Sequence, residues 1–105
     1  MMTSTSLSKM RGLLILSLMP DLIEAILLED HPLYREGLKG FLAKAIPNLT
    51  FSYDGAEFLE AKRIVEKRKP AVVILDLHLG DGRSPAELVG FFSTLGIPVL
   101  VLSAL

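Results

Sequence analysis

The chain contains no cysteine and no tryptophan. Without cysteine there is neither a disulfide scaffold nor a thiolate metal site, and a reducing compartment is favoured. There is no excess of charge of either sign. Eleven basic residues stand against twelve acidic ones, for a net charge of −1, so nothing draws the chain as a whole to nucleic acid or to an anionic membrane. Long hydrophobic runs are missing too. The longest, "LLILSLM" at residues 13–19, is interrupted by Ser17 and stopped by Pro20, well short of the about 20 residues that span a bilayer. Lys9 and Arg11 precede it, a faint likeness to a signal peptide, but no small-x-small cleavage site follows. The chain is therefore expected to be soluble and cytoplasmic, with no membrane partner. Residues 1–24 read as an N-terminal extension without fixed structure, and residues 25–105 as one domain, which is as much as 105 residues supply.

What is present is aliphatic. Half the residues are hydrophobic and only 7% are aromatic, a Val/Ile/Leu-rich balance that suits parallel strands buried on both faces. "AILLE" (25–29) is such a run, without alternation. Pro32 then suits the first turn of a helix over 32–45, whose apolar stripe is Tyr34, Leu38, Phe41, Leu42 and Ala45. "LTFSY" (49–53) alternates and reads as an edge strand, and Asp54-Gly55 as a turn. A second helix over 56–69 places Phe58, Ala61 and Val65 inward. "AVVIL" (71–75) is a third strand. Ser84, Pro85 and Glu87 form a capping box for a third helix that stops at Gly96, and "IPVLVL" (97–102) is a fourth strand. The order β-α-β-α-β-α-β predicts an α/β domain, a doubly wound parallel sheet with right-handed crossovers.

In such a sheet functional groups collect at the carboxyl ends of the strands. The first strand ends in Glu29 and Asp30, the third in Asp76, and the fourth in Ser103. Taken alone, Asp30 reads as a helix cap and Asp76 as a turn former. Taken together, three carboxylates and a hydroxyl on one rim repel one another unless a cation sits among them. A hard dication such as Mg²⁺, which keeps positions for water and phosphate oxygens, is the natural partner.

"AILLEDHPLYREGLKGFL", "VVILDLHLGDG" and "VLVLSAL", in this order and spacing, resemble the receiver domain of two-component response regulators. The first segment is most similar to receivers of LuxR/NarL-type regulators, which carry a helix-turn-helix output domain. The resemblance covers residues 25–105, about the first two-thirds of a receiver. It implies a flavodoxin-like, CheY-like fold and a switch rather than an enzyme, with at most weak autophosphatase chemistry. By position it implies Asp76 as the phospho-acceptor, Asp30 as a direct Mg²⁺ ligand, Glu29 holding the ion partly through water, and the backbone carbonyl of His78 as a further ligand. Ser103 takes the place of the switch hydroxyl, and Ala104 leaves the pocket open. The His31 imidazole reads as a surface residue at a helix start. The implied partner is a sensor histidine kinase.

The sequence departs from that pattern in two places. The loop "LHLGDG" after Asp76 is short, though its glycines still allow a tight turn. The chain also stops at Leu105, before the fourth helix, fifth strand and fifth helix of a receiver, and before the lysine that ends the fifth strand. The expectation is an incomplete receiver whose fourth strand is an exposed apolar edge and which self-associates. The apolar segment 12–19 is one means of covering that edge. Two other readings stand beside this one. One is an interaction module that has lost phosphotransfer. The other is a small nucleotide-binding enzyme, against which no G-x-G-x-x-G or G-x-x-x-x-G-K-[ST] motif follows the first strand. No basic recognition helix is present, so DNA binding is not expected of this chain.

Overall fold

The computed structural model describes residues 22–80 and 82–102. Its elements are β1 (Ile23–Leu28), α1 (Pro32–Ala45), β2 (Leu49–Gly55), α2 (Phe58–Lys67), β3 (Val72–Asp76), α3 (Pro85–Thr94) and β4 (Val99–Leu102). The four strands form one parallel sheet in the order β2-β1-β3-β4. The alternation expected from the sequence is thus the alternation found. No helix among the described residues is long and apolar enough to cross a membrane.

Right-handed crossovers place α1, which joins β1 to β2, on one face, and α2 and α3, which connect in the other direction, on the opposite face. The second face carries the core. Ile26, Leu28, Val73 and Leu75 pack against Phe58, Ala61, Val65, Leu88 and Phe92. Each Val, Ile, Leu or Phe among them, where fully buried, contributes about 1.5–3 kcal/mol. The rings of Phe58, Phe91 and Phe92 meet edge to face at 5.1–5.9 Å between centroids, the arrangement their quadrupoles favour. α3 begins as its sequence requires, with Ser84 Oγ accepting from the Glu87 amide at 3.2 Å. It ends at Gly96, whose φ of 75° is open to glycine.

The structure corrects the sequence reading in several places. β1 begins at Ile23, within the span read as an extension, and β2 continues through Asp54 and Gly55. Those two are therefore strand residues rather than a turn. Leu27 pairs with Asp54 and Leu28 with Gly55 in the β1–β2 ladder, and the Glu29 amide bonds to the Gly55 carbonyl at 2.9 Å. The apolar stripe of α1 is not a buried one. The helix buries none of its residues fully: Leu38 and Leu42 are half-buried, while Tyr34, Phe41 and Ala45 are exposed. The physical reason is anchorage through charge, since Arg35 and Lys39 turn toward Asp54 on β2 and carry Tyr34 and Phe41 off the sheet. β4 is the end strand of the described sheet, with Leu100 and Val101 exposed.

Candidate functional site

β1 and β3 lie side by side, and the chain leaves β1 toward β2 on one side but returns to β3 on the other. Strand order therefore reverses between them, and a cleft opens at their carboxyl ends. Glu29 and Asp30 follow β1, and Asp76 is the last residue of β3. Leu28 is in register with Leu75, so the acidic positions leave the sheet at the same level. One carboxylate oxygen from each of Glu29, Asp30 and Asp76 lies within 4.8 Å of the others. The hollow above them is lined by these three with His31, Tyr34 and His78.

The local backbone sets each carboxylate. Glu29 is 3% exposed, the one buried charged residue among those described. Its Oε1 accepts from the His31 amide at 3.0 Å, and no hydrogen-bond donor among the described residues reaches Oε2. Burial raises the Glu29 carboxyl above its ordinary 4.5, opposed by the His31 amide and reinforced by the charge of Asp76 and by Asp30. Asp76 accepts at Oδ1 from the His78 amide at 3.1 Å. Asp30 is exposed, and Gly80 of the loop after β3 approaches its Oδ2. Hard oxygen donors, one of them buried with an oxygen lacking any donor, fit a small dication with water or phosphate oxygens at its outer positions. Without a cation, the neighbouring charges of Asp76 and Asp30 add to burial in raising the proton affinity of Glu29.

Around this centre α1 is fixed by polar contacts. The His31 ring caps it, Nδ1 accepting from the Tyr34 amide at 3.3 Å, which bears out a helix-start role for His31. Arg35 donates to the Glu29 carbonyl at 2.7 Å and faces Asp54 at 3.6 Å. Lys39 holds the other Asp54 oxygen at 3.1 Å.

Glu29, Asp30 and Asp76 are thus brought together as the sequence suggested. The His78 carbonyl lies beside the same loop, 4.0 Å from where a Gly80 Cβ would stand, and the His78 side chain is part of the lining. Ser103 lies outside the described residues; Leu102, which precedes it, is in register with Asp76. The sequence did not reveal Arg35, Asp54 or Gly80. The signal for Arg35 was its place four residues after His31, one helical turn along α1. Asp54 was hidden by its resemblance to a turn residue.

No family model matches the chain. It is 35% identical over 57 residues to the transcriptional regulatory protein DegU of Brevibacillus brevis, an alignment covering 54% of this chain and 24% of that protein. Its fold is similar to the solution structure of the receiver (REC) domain of the response regulator PhyR from Erythrobacter litoralis, with a TM-score of 0.64 and 26% identity, over 79% of this chain and 63% of that one. The chain thus spans about a quarter of the curated relative and less than two thirds of the solved receiver. Strand order and both likenesses agree on the fold, that of a CheY-like receiver domain lacking its last elements, and the acidic site lies at the reversal of strand order in it.

Proposed function

We propose that this domain accepts a phosphoryl group on Asp76 from the phosphohistidine of a sensor histidine kinase, in the cytoplasm, and so serves as the switch of a two-component regulator. The observation that carries the reading is the convergence of Glu29, Asp30 and Asp76 within 4.8 Å at the point where strand order reverses. The domain would act within a regulator whose DNA-binding output lies elsewhere, in keeping with the transcriptional regulator to which it is similar.

Asp76 is the nucleophile. The His78 amide holds its Oδ1, which fixes the carboxylate plane and leaves the second oxygen for attack on phosphorus. A new P–O bond forms as the P–N bond to the donor imidazole breaks, and the imidazole keeps the bonding pair. Glu29, Asp30, Asp76 and the His78 carbonyl would hold Mg²⁺, which when bound supplies positive charge opposite the phosphoryl oxygens. The His31 amide holds Glu29 Oε1 and leaves Oε2, which no donor among the described residues reaches, for the ion. The Ser103 hydroxyl, next in chain to a residue level with Asp76, would bond a phosphoryl oxygen and report the change of state. Self-association of the domain belongs to the same reading, through the edge of the end strand of the described sheet, where Val101 is exposed.

The test is incubation with acetyl phosphate and Mg²⁺ followed by intact-mass measurement. Wild type gains the mass of one phosphoryl group; Asp76→Asn gains none, and neither does wild type in EDTA. A folded wild type that gains no mass, or an Asp76→Asn that still does, would overturn the assignment.

A further inference from the structure

The face of the sheet that bears α1 is only partly accounted for by α1. Asp54, Leu27, Ile74 and Leu100 form one row across that face, one from each strand in the order β2-β1-β3-β4. Arg35 and Lys39 pin α1 over the Asp54 end of the row. A helix is about 10 Å wide and strands lie about 4.8 Å apart, so its footprint covers β2 and β1 and stops short of β3. Among the described residues α1 is the one helix on this face, yet Ile74 is only 3% exposed, while Leu100 on the next strand is 51% exposed. Ile74 therefore lies at the floor between α1 and the exposed Leu100.

The side of α1 turned away from Asp54 is apolar. With Arg35 and Lys39 directed at β2, the 100° step of the helix puts Tyr34, Phe41 and Ala45 together on the flank toward β3. Tyr34 is 43% and Phe41 69% exposed. This flank and the Ile74–Leu100 row are the two walls of a groove. Its amino end opens beside the start of β1, where residues 1–21 join the described chain.

We propose that the apolar segment 12–19 (GLLILSLM) docks in this groove of its own chain, between the Tyr34/Phe41/Ala45 flank of α1 and Ile74 and Leu100. Three residues, Pro20 to Leu22, separate the segment from β1. They span up to about 10 Å, which is the two-strand offset from β1 to the far wall. The groove alongside α1 from Tyr34 to Ala45 is about 17 Å long. Eight residues cover between about 12 Å coiled and about 26 Å extended, so the lengths correspond. The segment carries no charge, as the walls require. A tether this short gives an effective concentration in the millimolar range, which favours the chain's own segment over a second copy. The proposal relocates the segment from the exposed strand edge to the helix flank, and it is independent of phosphoryl chemistry.

The chain's lack of cysteine makes the test direct. In the full chain, Phe41→Cys is combined in turn with Leu14→Cys, Ile15→Cys and Leu16→Cys, and each double variant is oxidised mildly at low protein concentration. At least one pair is expected to close within the monomer. The same three positions combined with Leu59→Cys, an exposed residue of α2 on the opposite face, are expected to stay reduced. Failure of all three Phe41 pairs, equal closure with Leu59, or a product found only as a covalent dimer, which would mark a second copy as the occupant, each overturns the proposal. A second reading needs no cross-link. The full-length double variant Leu14→Asp/Leu16→Asp should exchange amide hydrogens of residues 34–45 at least tenfold faster than wild type with α2 unchanged, and unaltered exchange in α1 overturns the proposal as well.

Discussion

Gly80 sets its bare α-carbon against the Asp30 carboxylate: a Cβ there would stand 3.4 Å from Oδ2, on a backbone with φ of 49°. The contact joins the loop after β3 to the end of β1 and closes one side of the acidic site. Space admits a methyl group but the backbone does not, because the left-handed region costs a non-glycine residue about 1–2 kcal/mol. Gly80→Ala is therefore expected to lower stability by about 1 kcal/mol and to weaken Mg²⁺ binding severalfold as the loop shifts. Thermal melting and calorimetric titration measure the two effects; an unchanged affinity would separate the loop from the site.

Glu29 makes stability depend on pH in an unusual direction. Its folded-state value lies above the unfolded 4.5, chiefly through burial. In the window between the two values the native state binds the proton more tightly, so this group's contribution falls as pH rises through it and is constant above. Glu29→Gln keeps an acceptor for the His31 amide and has no charge to desolvate. The difference in melting temperature between variant and wild type, followed in EDTA from pH 4 to pH 8, should grow in favour of the variant. A flat difference would mean that the buried carboxylate carries no such cost.

Asp54 holds α1 in place of a buried apolar stripe. Its oxygens face Arg35 and Lys39, and the hydrogen bond to Asp54 raises the Lys39 ammonium above its usual 10.5. A cation raised in this way contributes stability that is complete below its unfolded value and lost as pH climbs through the folded one. The pair is partly solvated, so Asp54→Asn is expected to cost about 0.5–1 kcal/mol. The loss should be local: amide exchange quickens in α1 and not in α2, and 1 M NaCl does the same to wild type. Equal quickening of both helices would assign Asp54 to global stability instead.

How far the sequence could be read follows from which forces shaped each part. The buried face of α2 was legible to the residue, though the helix runs over Phe58–Lys67 rather than 56–69, because Phe58, Ala61 and Val65 meet a continuous core and periodicity records burial of that kind. The acidic trio was legible because two strand ends finish in carboxylates, an acidic pair after the first strand and a lone aspartate at the third. α1 misled for the opposite reason. Its periodicity is that of a buried helix, but Tyr34 and Phe41 stand off the sheet, and the ion pairs that orient it join residues fifteen or more apart in sequence. Asp54-Gly55 carries the composition of a turn and lies in the ladder, where pairing with Leu27 and Leu28 overrides local preference. Register across a sheet is a tertiary property, and no window along one strand reports it.

Asp76 illustrates a conflict between stability and chemistry. Its charge lies close to those of Glu29 and Asp30, and the repulsion is unfavourable whenever no cation is present. Asn at this position still accepts from the His78 amide at Oδ1, so the one hydrogen bond recorded for the side chain survives. Asp76→Asn is therefore expected to melt higher than wild type in EDTA. Mg²⁺ should act in the opposite sense on the pair. Wild type gains about 1.4 kcal/mol at ten times its dissociation constant, and the variant, one ligand short, gains much less. The two melting curves should converge or cross as Mg²⁺ is added. A variant that melts lower than wild type in EDTA would show that Asp76 stabilises the fold through contacts other than that bond, and the acidic cluster would then need no cation to explain it.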